Sequence, residues 1–251
     1  MSNDDDELQR FTLEEGGRVY TDEDELFLPS VSTVLSEMPE PQGIKYWKRK
    51  HNGKNGNDHW KDILNYKANR GTMIHYNLLN EFADEDIYGQ NEEDSTESLK
   101  LEGEWDDYQN DLTFAEDAWT EIKEQQQIND DTVLDVECFV TNVGVGYAGQ
   151  FDLLYIDQDS NIVLGDLKTG KGIYDKYKMQ LVAYENALDL DVDRVEVIRI
   201  YPDNEEWQIS SSEDWPESRE DLWRRFLSLR ADMGDVSERM RSIAEEGIND
   251  G

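Results

Sequence analysis

The sequence is poor in cysteine, in positive charge and in long apolar segments. Cys138 is the single cysteine among 251 residues, so one chain can form neither an internal disulfide nor a cysteine-ligated cluster. No apolar run approaches the roughly 20 residues that a membrane-spanning helix needs, and the N-terminal stretch MSNDDDELQR does not resemble a signal peptide. These absences predict a soluble, cytoplasmic protein with no membrane partner.

Lysine and arginine are scarce: the chain has 24 of them and 59 aspartates and glutamates, which gives a net charge of −35. The acidic residues are spread along the whole chain and alternate with well-patterned helices and strands. Such a charge repels itself in dilute buffer, whereas molar salt shortens the screening length to about 3 Å. We therefore expect a protein from the high-salt interior of a halophilic cell, encoded by the cell or its virus. The alternative is an acidic regulatory protein or a nucleic-acid mimic.

The few basic residues are concentrated in two short segments. Ile44–Lys61 carries six Lys or Arg against the single Asp58 and interleaves them with aromatic residues, and Leu167–Lys178 is the second segment. Cations beside aromatic rings suit a strand of nucleic acid, because the cations bind phosphates while the rings stack on bases. A helix with a solvated basic face explains the first segment equally well. The expected DNA contacts are Lys45, Trp47, Lys48, Arg49 and Arg70.

Hydrophobic patterning predicts an α/β fold in which helices flank a mixed central sheet. Three β-rich stretches separated by turn signals predict an antiparallel meander, and RVEVIRIYP adds a further strand. The stretch YDKYKMQLVAYENAL between them has a helical pattern. The meander stretches are TVLDVECFVT, YAGQFDLLYID and NIVLGDLKT.

The domain prediction is a disordered acidic segment at residues 1–10 and a single domain over 11–251. Its parts are an N-terminal helical part at about 28–126, a core at about 132–201 and C-terminal helices at about 215–246. Within the helical part, Arg70-Gly71 predicts a helix break, with a second helix capped by Thr72. Residues 84–107 are polar and acidic, as expected of a connector.

Two glycine patterns suggest nucleotide binding, and each is incomplete. Gly165, Gly170 and Lys171 match the spacing of a phosphate-binding P-loop, but Gly172 stands where a magnesium-binding Ser or Thr is required. Gly144–Gly149 matches GxGxxG, but a strand pattern follows it instead of the helix that a dinucleotide site needs. A P-loop-like nucleotide-binding protein is the third-ranked interpretation.

Asp166 and Lys168 are two residues apart in a strand, so they point to the same side of the sheet. Asp152, on the adjacent strand of the predicted hairpin, can lie opposite them. Paired carboxylates attract Mg²⁺ or Mn²⁺, and a nearby lysine can orient water and stabilise charge that builds on a phosphate. A plain cross-strand salt bridge between Asp152 and Lys168 is the alternative.

Four motifs together resemble the PD-(D/E)XK nucleases, in the RecB-like branch that includes the mitochondrial genome maintenance exonuclease and viral relatives. The motifs are RGTMIH, YAGQFD, GDLKTG and QLVAY, in the family's order, and LPSVSTVL is similar to a segment of viral members. The resemblance covers about Leu28 to Tyr201. It implies a restriction-endonuclease-like core around a divalent metal.

The resemblance also implies roles for individual residues. It makes His75, Asp152, Asp166 and the main-chain carbonyl of Leu167 the metal ligands, and Lys168 the catalytic lysine. Gln180 and Tyr184, one helical turn apart, would position the substrate or order the site, although Tyr184 also suits a core position. Glu137, on the preceding strand, matches an acidic site residue of some relatives.

The sequence therefore predicts a DNA nuclease dependent on Mg²⁺ or Mn²⁺. It would act as an exonuclease on single-stranded DNA or duplex ends, alongside replication or recombination proteins. Some RecB-like nucleases bind an iron–sulfur cluster through cysteines; a chain with one cysteine is expected to lack it. The second interpretation is a nuclease-fold accessory protein that binds DNA without turnover.

Overall fold

The computed structural model describes residues 9–12, 18–21, 27–52, 59–83, 90–101 and 104–235, and within them the chain forms eight strands and seven α-helices. The strands are β1 (Gln9–Thr12), β2 (Arg18–Thr21), β3 (Phe27–Pro29), β4 (Val133–Asn142), β5 (Tyr147–Ile156), β6 (Ile162–Lys168), β7 (Arg194–Tyr201) and β8 (Glu206–Ser211). The helices are α1 (Val31–Ser36), α2 (Gln42–Lys50), α3 (His59–Leu79), α4 (Gln90–Leu101), α5 (Trp105–Gln126), α6 (Asp175–Glu185) and α7 (Arg219–Asp232).

Strands β4 to β8 form a five-stranded mixed sheet in chain order, which confirms the predicted α/β fold. Neighbouring strands are antiparallel except β6 and β7, which run parallel and are joined through α6. Parallel strands need such a crossover, and a helix commonly provides it. The interior of β6, VLGDL, is buried throughout, as expected of a strand covered on both faces, and Asp166 is the charged residue within it.

Helices cover both faces of this sheet. On one face, α1, α6 and α7 pack on buried strand residues that include Leu164 and Val197. On the other face, α3, α4 and α5 pack on residues that include Val163 and Ile198. Successive strand residues point to opposite faces, so Asp166 faces the α6 layer together with Leu164.

A small second sheet, β1 to β3, precedes the first helix. Ser30 follows β3, caps α1 by accepting a hydrogen bond from the Thr33 amide at 3.0 Å, and bridges to Ala148. The serine therefore fixes α1 against β5, as a helix-capping side chain at the end of an extended segment can do.

Two expectations for the helical part are wrong. Helix α3 runs unbroken through Arg70-Gly71, because the glycine serves a close contact described below. The supposed connector contains helix α4, which is held by tertiary contacts: Leu99 is fully buried in the core, and Asn69 donates a 2.8 Å hydrogen bond to Ser98. Tertiary packing of this kind commonly overrides weak local preference.

Both ends of the chain extend past the described residues. Of the segment expected to be disordered, residues 1–8 lie outside them, while Gln9 and Arg10 pair with β2 as part of β1. Residues 236–246, the second half of the expected C-terminal helices, also lie outside them. Among the helices that are described, none has the length and apolar character needed to cross a membrane.

Candidate functional site

Three carboxylates lie in one row across β4, β5 and β6. The strand register, continued by one residue from the paired positions, puts Asp152 opposite Asp166 and Glu137 opposite Asp152. Directly opposed residues on adjacent strands have Cβ atoms about 4.5–5.5 Å apart. Like charges at that spacing repel, so the row needs a cation or protons to be stable.

Glu137 occupies its place in this row with an unusual backbone. Its φ is 49°, in the left-handed region, although it lies in the middle of strand β4. Gln150 donates a 2.8 Å hydrogen bond from Nε2 to the Glu137 carbonyl. A non-glycine residue in this conformation costs about 1–3 kcal/mol and is typical of functional sites.

His75 reaches the row from helix α3. Its Nδ1 lies 3.7 Å from Asp152 Oδ2 and 3.9 Å from Glu137 Oε1. One potential ligand atom from each of the three side chains lies within 4.8 Å of the others. Burial lowers the pKa of His75, but the nearby Asp152 and Glu137 carboxylates outweigh it and raise the pKa above its ordinary value.

Gly71 explains how α3 comes close enough for His75 to reach the strands. It lies one turn before His75, and a Cβ placed there would be 3.2 Å from the Thr169 hydroxyl oxygen. A glycine inside a helix costs about 1 kcal/mol relative to alanine. Here the missing side chain lets the helix lie directly against the loop that follows Lys168.

Arg70 stabilises the contact between α3 and the loop after Lys168 through ion pairs and hydrogen bonds. Its guanidinium is buried, pairs with Asp203, and donates hydrogen bonds to Asp111 at 2.7 Å and to the Thr169 carbonyl at 3.4 Å. We expected Arg70 among the DNA contacts. Its burial gives it a structural role instead, since the charge is already satisfied by two carboxylates.

Asp166 is completely buried. Lys168 Nζ pairs with its Oδ2, while Oδ1 accepts no hydrogen bond from the residues that are described. Burial raises the pKa of Asp166 to about 7, against the opposing effect of Lys168. Buried polar atoms are almost always paired, so the orphaned oxygen indicates a site that receives a further group.

Asp152 and Leu167 connect strands β5 and β6 of the site. Asp152 Oδ2 accepts a 2.7 Å hydrogen bond from the Leu167 amide. Burial raises the pKa of Asp152, although His75 and Lys168 oppose this. The Leu167 side chain is buried in the core on the α3 side, so its backbone is firmly held between Asp166 and Lys168. The metal-binding role of its carbonyl stays a prediction.

Lys168 points into the site beside the carboxylates. Burial lowers its pKa, but Asp166 and Asp152 outweigh this and raise the pKa. The side chain therefore stays an ammonium ion at neutral pH. Its Nζ also lies 5.4 Å from the centre of the Tyr177 ring, within the range of a cation–π contact.

Gln180 and Tyr184 meet on the face of α6 that looks towards the sheet. Gln180 Nε2 donates a 2.8 Å hydrogen bond to the Tyr184 hydroxyl. Tyr184 is buried, and a Cβ at Gly149 would lie 2.4 Å from its ring. The YAGQFD motif therefore needs a glycine at this position, and Tyr184 is a core residue that holds the Gln180 amide in place.

The residues expected to bind DNA on α2 lie on an exposed helix without a buried side chain. Lys48 is partly engaged, because its Nζ pairs with Glu40 at 2.6 Å and lies 4.4 Å from the centre of the Trp60 ring. The Trp47 ring contacts His51. Lys45 and Arg49 are exposed, as DNA contacts would require, and their role stays a prediction.

The donor set at the row of carboxylates fits a divalent metal ion. His75, Glu137 and Asp152 supply one nitrogen and two carboxylate groups, and Asp166 supplies an orphaned oxygen next to them. Oxygen-rich sets with one imidazole suit Mg²⁺ and Mn²⁺. Glu137 takes a more central place in this set than the sequence alone indicated, while Asp166 is more closely engaged with Lys168.

Neither glycine pattern forms a nucleotide site. Gly165 lies inside strand β6, buried against Leu153 and Ile198, so it cannot belong to a loop that surrounds a phosphate. The GxGxxG pattern leads into strand β5, as expected, and not into a helix. The loop geometry that the P-loop-like interpretation requires is therefore not found at Gly165.

Comparison with known proteins adds little. No family model matches the chain, and no curated protein matches it. The crystal structure of SSO0001 is similar over 57% of this chain and 69% of that one, with 14% sequence identity and a TM-score of 0.31. A likeness this weak carries no argument about fold or function.

Proposed function

We propose that the chain is a DNA nuclease of the PD-(D/E)XK type that depends on Mg²⁺ or Mn²⁺. It hydrolyses phosphodiester bonds as an exonuclease on single strands or duplex ends, in DNA replication, recombination or repair. The proposal also retains the high-salt, halophilic setting that the net charge of −35 suggests. The sequence resemblance supports the proposal, and the arrangement of the side chains in the site supports it more strongly.

The observation that best supports a nuclease is a row of carboxylates that includes a buried oxygen without a hydrogen bond and lies beside a lysine. Glu137, Asp152 and Asp166 occupy three adjacent strands, and Asp166 Oδ1 accepts no hydrogen bond from described residues. A purely structural cluster would be expected to satisfy all of its oxygens. Strongly perturbed carboxyl groups of this kind are typical of catalytic sites.

Each side chain has a task in hydrolysis. His75, Glu137, Asp152 and Asp166 would hold the divalent cation, which supplies charge neutralisation on the phosphate and activation of water. The Lys168 ammonium stabilises the negative charge that builds on the phosphate oxygens. Gln180 has a second amide N–H besides the one given to Tyr184, and it can donate this to the phosphate.

The test is incubation with end-labelled single- and double-stranded DNA at molar KCl. We expect cleavage with Mg²⁺ or Mn²⁺, none with EDTA, and release of nucleotides from the ends of linear DNA. Circular single-stranded DNA is the control, because an exonuclease leaves it intact. Binding of DNA without cleavage under any of these metals would favour the accessory protein, and cleavage of the circle would refute the exonuclease assignment.

A second measurement tests the role of His75. Replacing His75 with alanine should raise the Mn²⁺ concentration required for half-maximal cleavage, because one ligand is lost while three carboxylates remain. The matched control is His51→Ala at the C-terminal cap of helix α2, where the ring contacts Trp47 and lies in a different part of the chain. An unchanged Mn²⁺ titration in His75→Ala would show that this histidine only fills space.

A further inference from the structure

Next to Lys168 lies a pair of tyrosines that the proposed hydrolysis does not use. The Tyr174 and Tyr177 rings form an edge-to-face contact with centroids 5.6 Å apart and planes at 67°. Tyr177 in turn lies 5.4 Å from Lys168 Nζ. The pair therefore extends outward from the catalytic lysine to the protein surface.

Tyr174 is open to solvent. Its exposed fraction is 54%, high for a large aromatic side chain at the edge of a buried site. Tyr177 makes one edge-to-face contact with this ring, and a Cβ at Gly172 would lie 3.4 Å from its hydroxyl end, yet Tyr174 stays more than half exposed and keeps ring surface for a ligand. Stacking on a base needs one open aromatic face.

The backbone that carries Tyr174 is held in place. Arg199 donates a 3.1 Å hydrogen bond to the Lys171 carbonyl, and Arg70 donates one to the Thr169 carbonyl. Both guanidinium groups are buried. Tyr174 itself is the N-cap residue of α6, and its carbonyl accepts a 2.9 Å hydrogen bond from the Tyr177 amide. A ring on a fixed backbone loses little freedom when a ligand binds.

The surrounding charge favours a polyanion. Segment 168–178 holds four lysines and a single acidic residue, Asp175, whose carboxylate is 3.4 Å from Arg225. Lys171 and Lys176 are exposed beside the two rings. In a chain of net charge −35, long-range attraction for DNA is weak, and stacking supplies affinity that does not depend on net charge.

We propose that Tyr174, backed by Tyr177, is a stacking platform for one unpaired base of a single-stranded DNA substrate, next to the phosphate that Lys168 contacts. The inference rests on the proposed nuclease function and specifies which form of DNA the site prefers. Bases inside an intact duplex are stacked on each other and present no face to the ring. The platform therefore selects single strands and frayed ends over intact duplex.

The test uses binding and does not require cleavage. Single-stranded oligonucleotides with one abasic position, moved along the strand, are titrated against the full-length protein with Ca²⁺ in place of the catalytic metal. We expect one position at which loss of the base weakens binding about 5- to 150-fold. Tyr174→Leu should weaken binding of the intact strand to a similar extent and remove the dependence on that position. Tyr174→Phe keeps the ring and should behave as the wild type.

Three outcomes would overturn the platform: equal affinity for all abasic strands, wild-type binding by Tyr174→Leu, or an equal loss of affinity for blunt duplex in that variant. The melting temperature of each variant shows that the fold is kept. If the base dependence is found but no metal supports cleavage, the nuclease proposal fails and the platform stands. If DNA is cleaved without any dependence on Tyr174, the platform fails and the nuclease proposal stands.

Discussion

The central sheet buries acidic side chains in two places, and it satisfies them in one place only. In the Arg194 cluster (Arg194, Asp157, Glu196 and Tyr155), every carboxylate oxygen accepts a hydrogen bond. In the site cluster (His75, Glu137, Asp152, Asp166 and Lys168), Asp166 Oδ1 accepts none from the described residues. The same sheet thus holds one completed polar network and one incomplete network.

The pKa values follow the same division. Burial raises the pKa of Asp157, but hydrogen bonds from Arg194 and Asn161 outweigh this and lower it to about 2. Burial raises the pKa of Asp166 to about 7, because Lys168 alone does not compensate for it. Completed pairing stabilises the fold, whereas incomplete pairing leaves capacity to bind a cation. The burial of an acidic group alone would therefore not distinguish a structural role from a cation-binding role.

The largest expected effect is on cleavage. Lys168→Ala should lower the rate at least about 100-fold, because a charge that stabilises the transition state is lost. Asp157→Asn, the matched change in the Arg194 cluster, should leave the rate of the folded protein unaltered. Initial rates on end-labelled single strands at saturating Mn²⁺ measure both. Equal rates for Lys168→Ala and the wild type would mean that Lys168 in the site cluster has no role in cleavage.

The next effect is on stability. Arg194→Ala leaves two buried carboxylates without their cation and should lower the free energy of unfolding by about 3–5 kcal/mol. Lys168→Ala should cost less, because burial already raises the pKa of Asp166 to about 7 and this carboxyl can take up a proton when its cation is lost, whereas the pKa of Asp157 is about 2. Denaturant titrations of both variants in EDTA make the comparison. A larger loss for Lys168→Ala would mean that the site cluster also holds the fold together.

A smaller effect is expected in acid. Because the folded-state pKa of Asp157 is about 2 and its ordinary value is 3.8, its contribution is complete above about pH 4 and is lost as pH falls towards 2. The contribution is on the order of 1 kcal/mol. Melting temperatures of the wild type and Asp157→Asn should therefore converge between pH 4 and pH 2. A difference that stays constant over this range would contradict the assignment.

The smallest effect concerns a region outside both clusters, the exposed helix α2. Replacing Lys45 and Arg49 with glutamine should weaken binding of single-stranded DNA a few-fold and flatten its salt dependence, because phosphate contacts are lost. Cleavage of saturating substrate should not change. Lys123→Gln, on α5, is the control in fluorescence anisotropy. Identical affinity in the double variant and the wild type would leave α2 as a solvated basic face.

The sequence predicted the elements whose patterns are local and strong. Strands β5, β6 and β7 and helix α6 follow directly from their apolar patterns, and the α/β fold was confirmed. The motifs also named His75, Asp152, Asp166 and Lys168, which the structure brings together. Spacing along β6 and the hairpin register were enough for the three strand residues, since both are properties of adjacent backbone.

The remaining features depend on contacts between distant segments. Gly71 was interpreted as a helix break because an interior glycine weakens a helix; only the approach of Thr169 explains it. Arg70 looked like a free cation until Asp111 and Asp203 were seen beside it. Strand β8 was missed although Trp207 and Ile209 alternate with polar residues along it, because the stretch is short and only half-buried. The left-handed conformation of Glu137 leaves no signal in the sequence.

The fit of the Tyr184 ring over Gly149 restricts which substitutions these two positions can accept during evolution. A methyl group at Gly149 would overlap the ring, and a ring moved aside would no longer hold Gln180. Neither position can change alone without loss, so the two should covary in any set of related sequences. A larger residue at position 149 should appear only where position 184 carries a smaller side chain, and position 180 should then be free to vary as well.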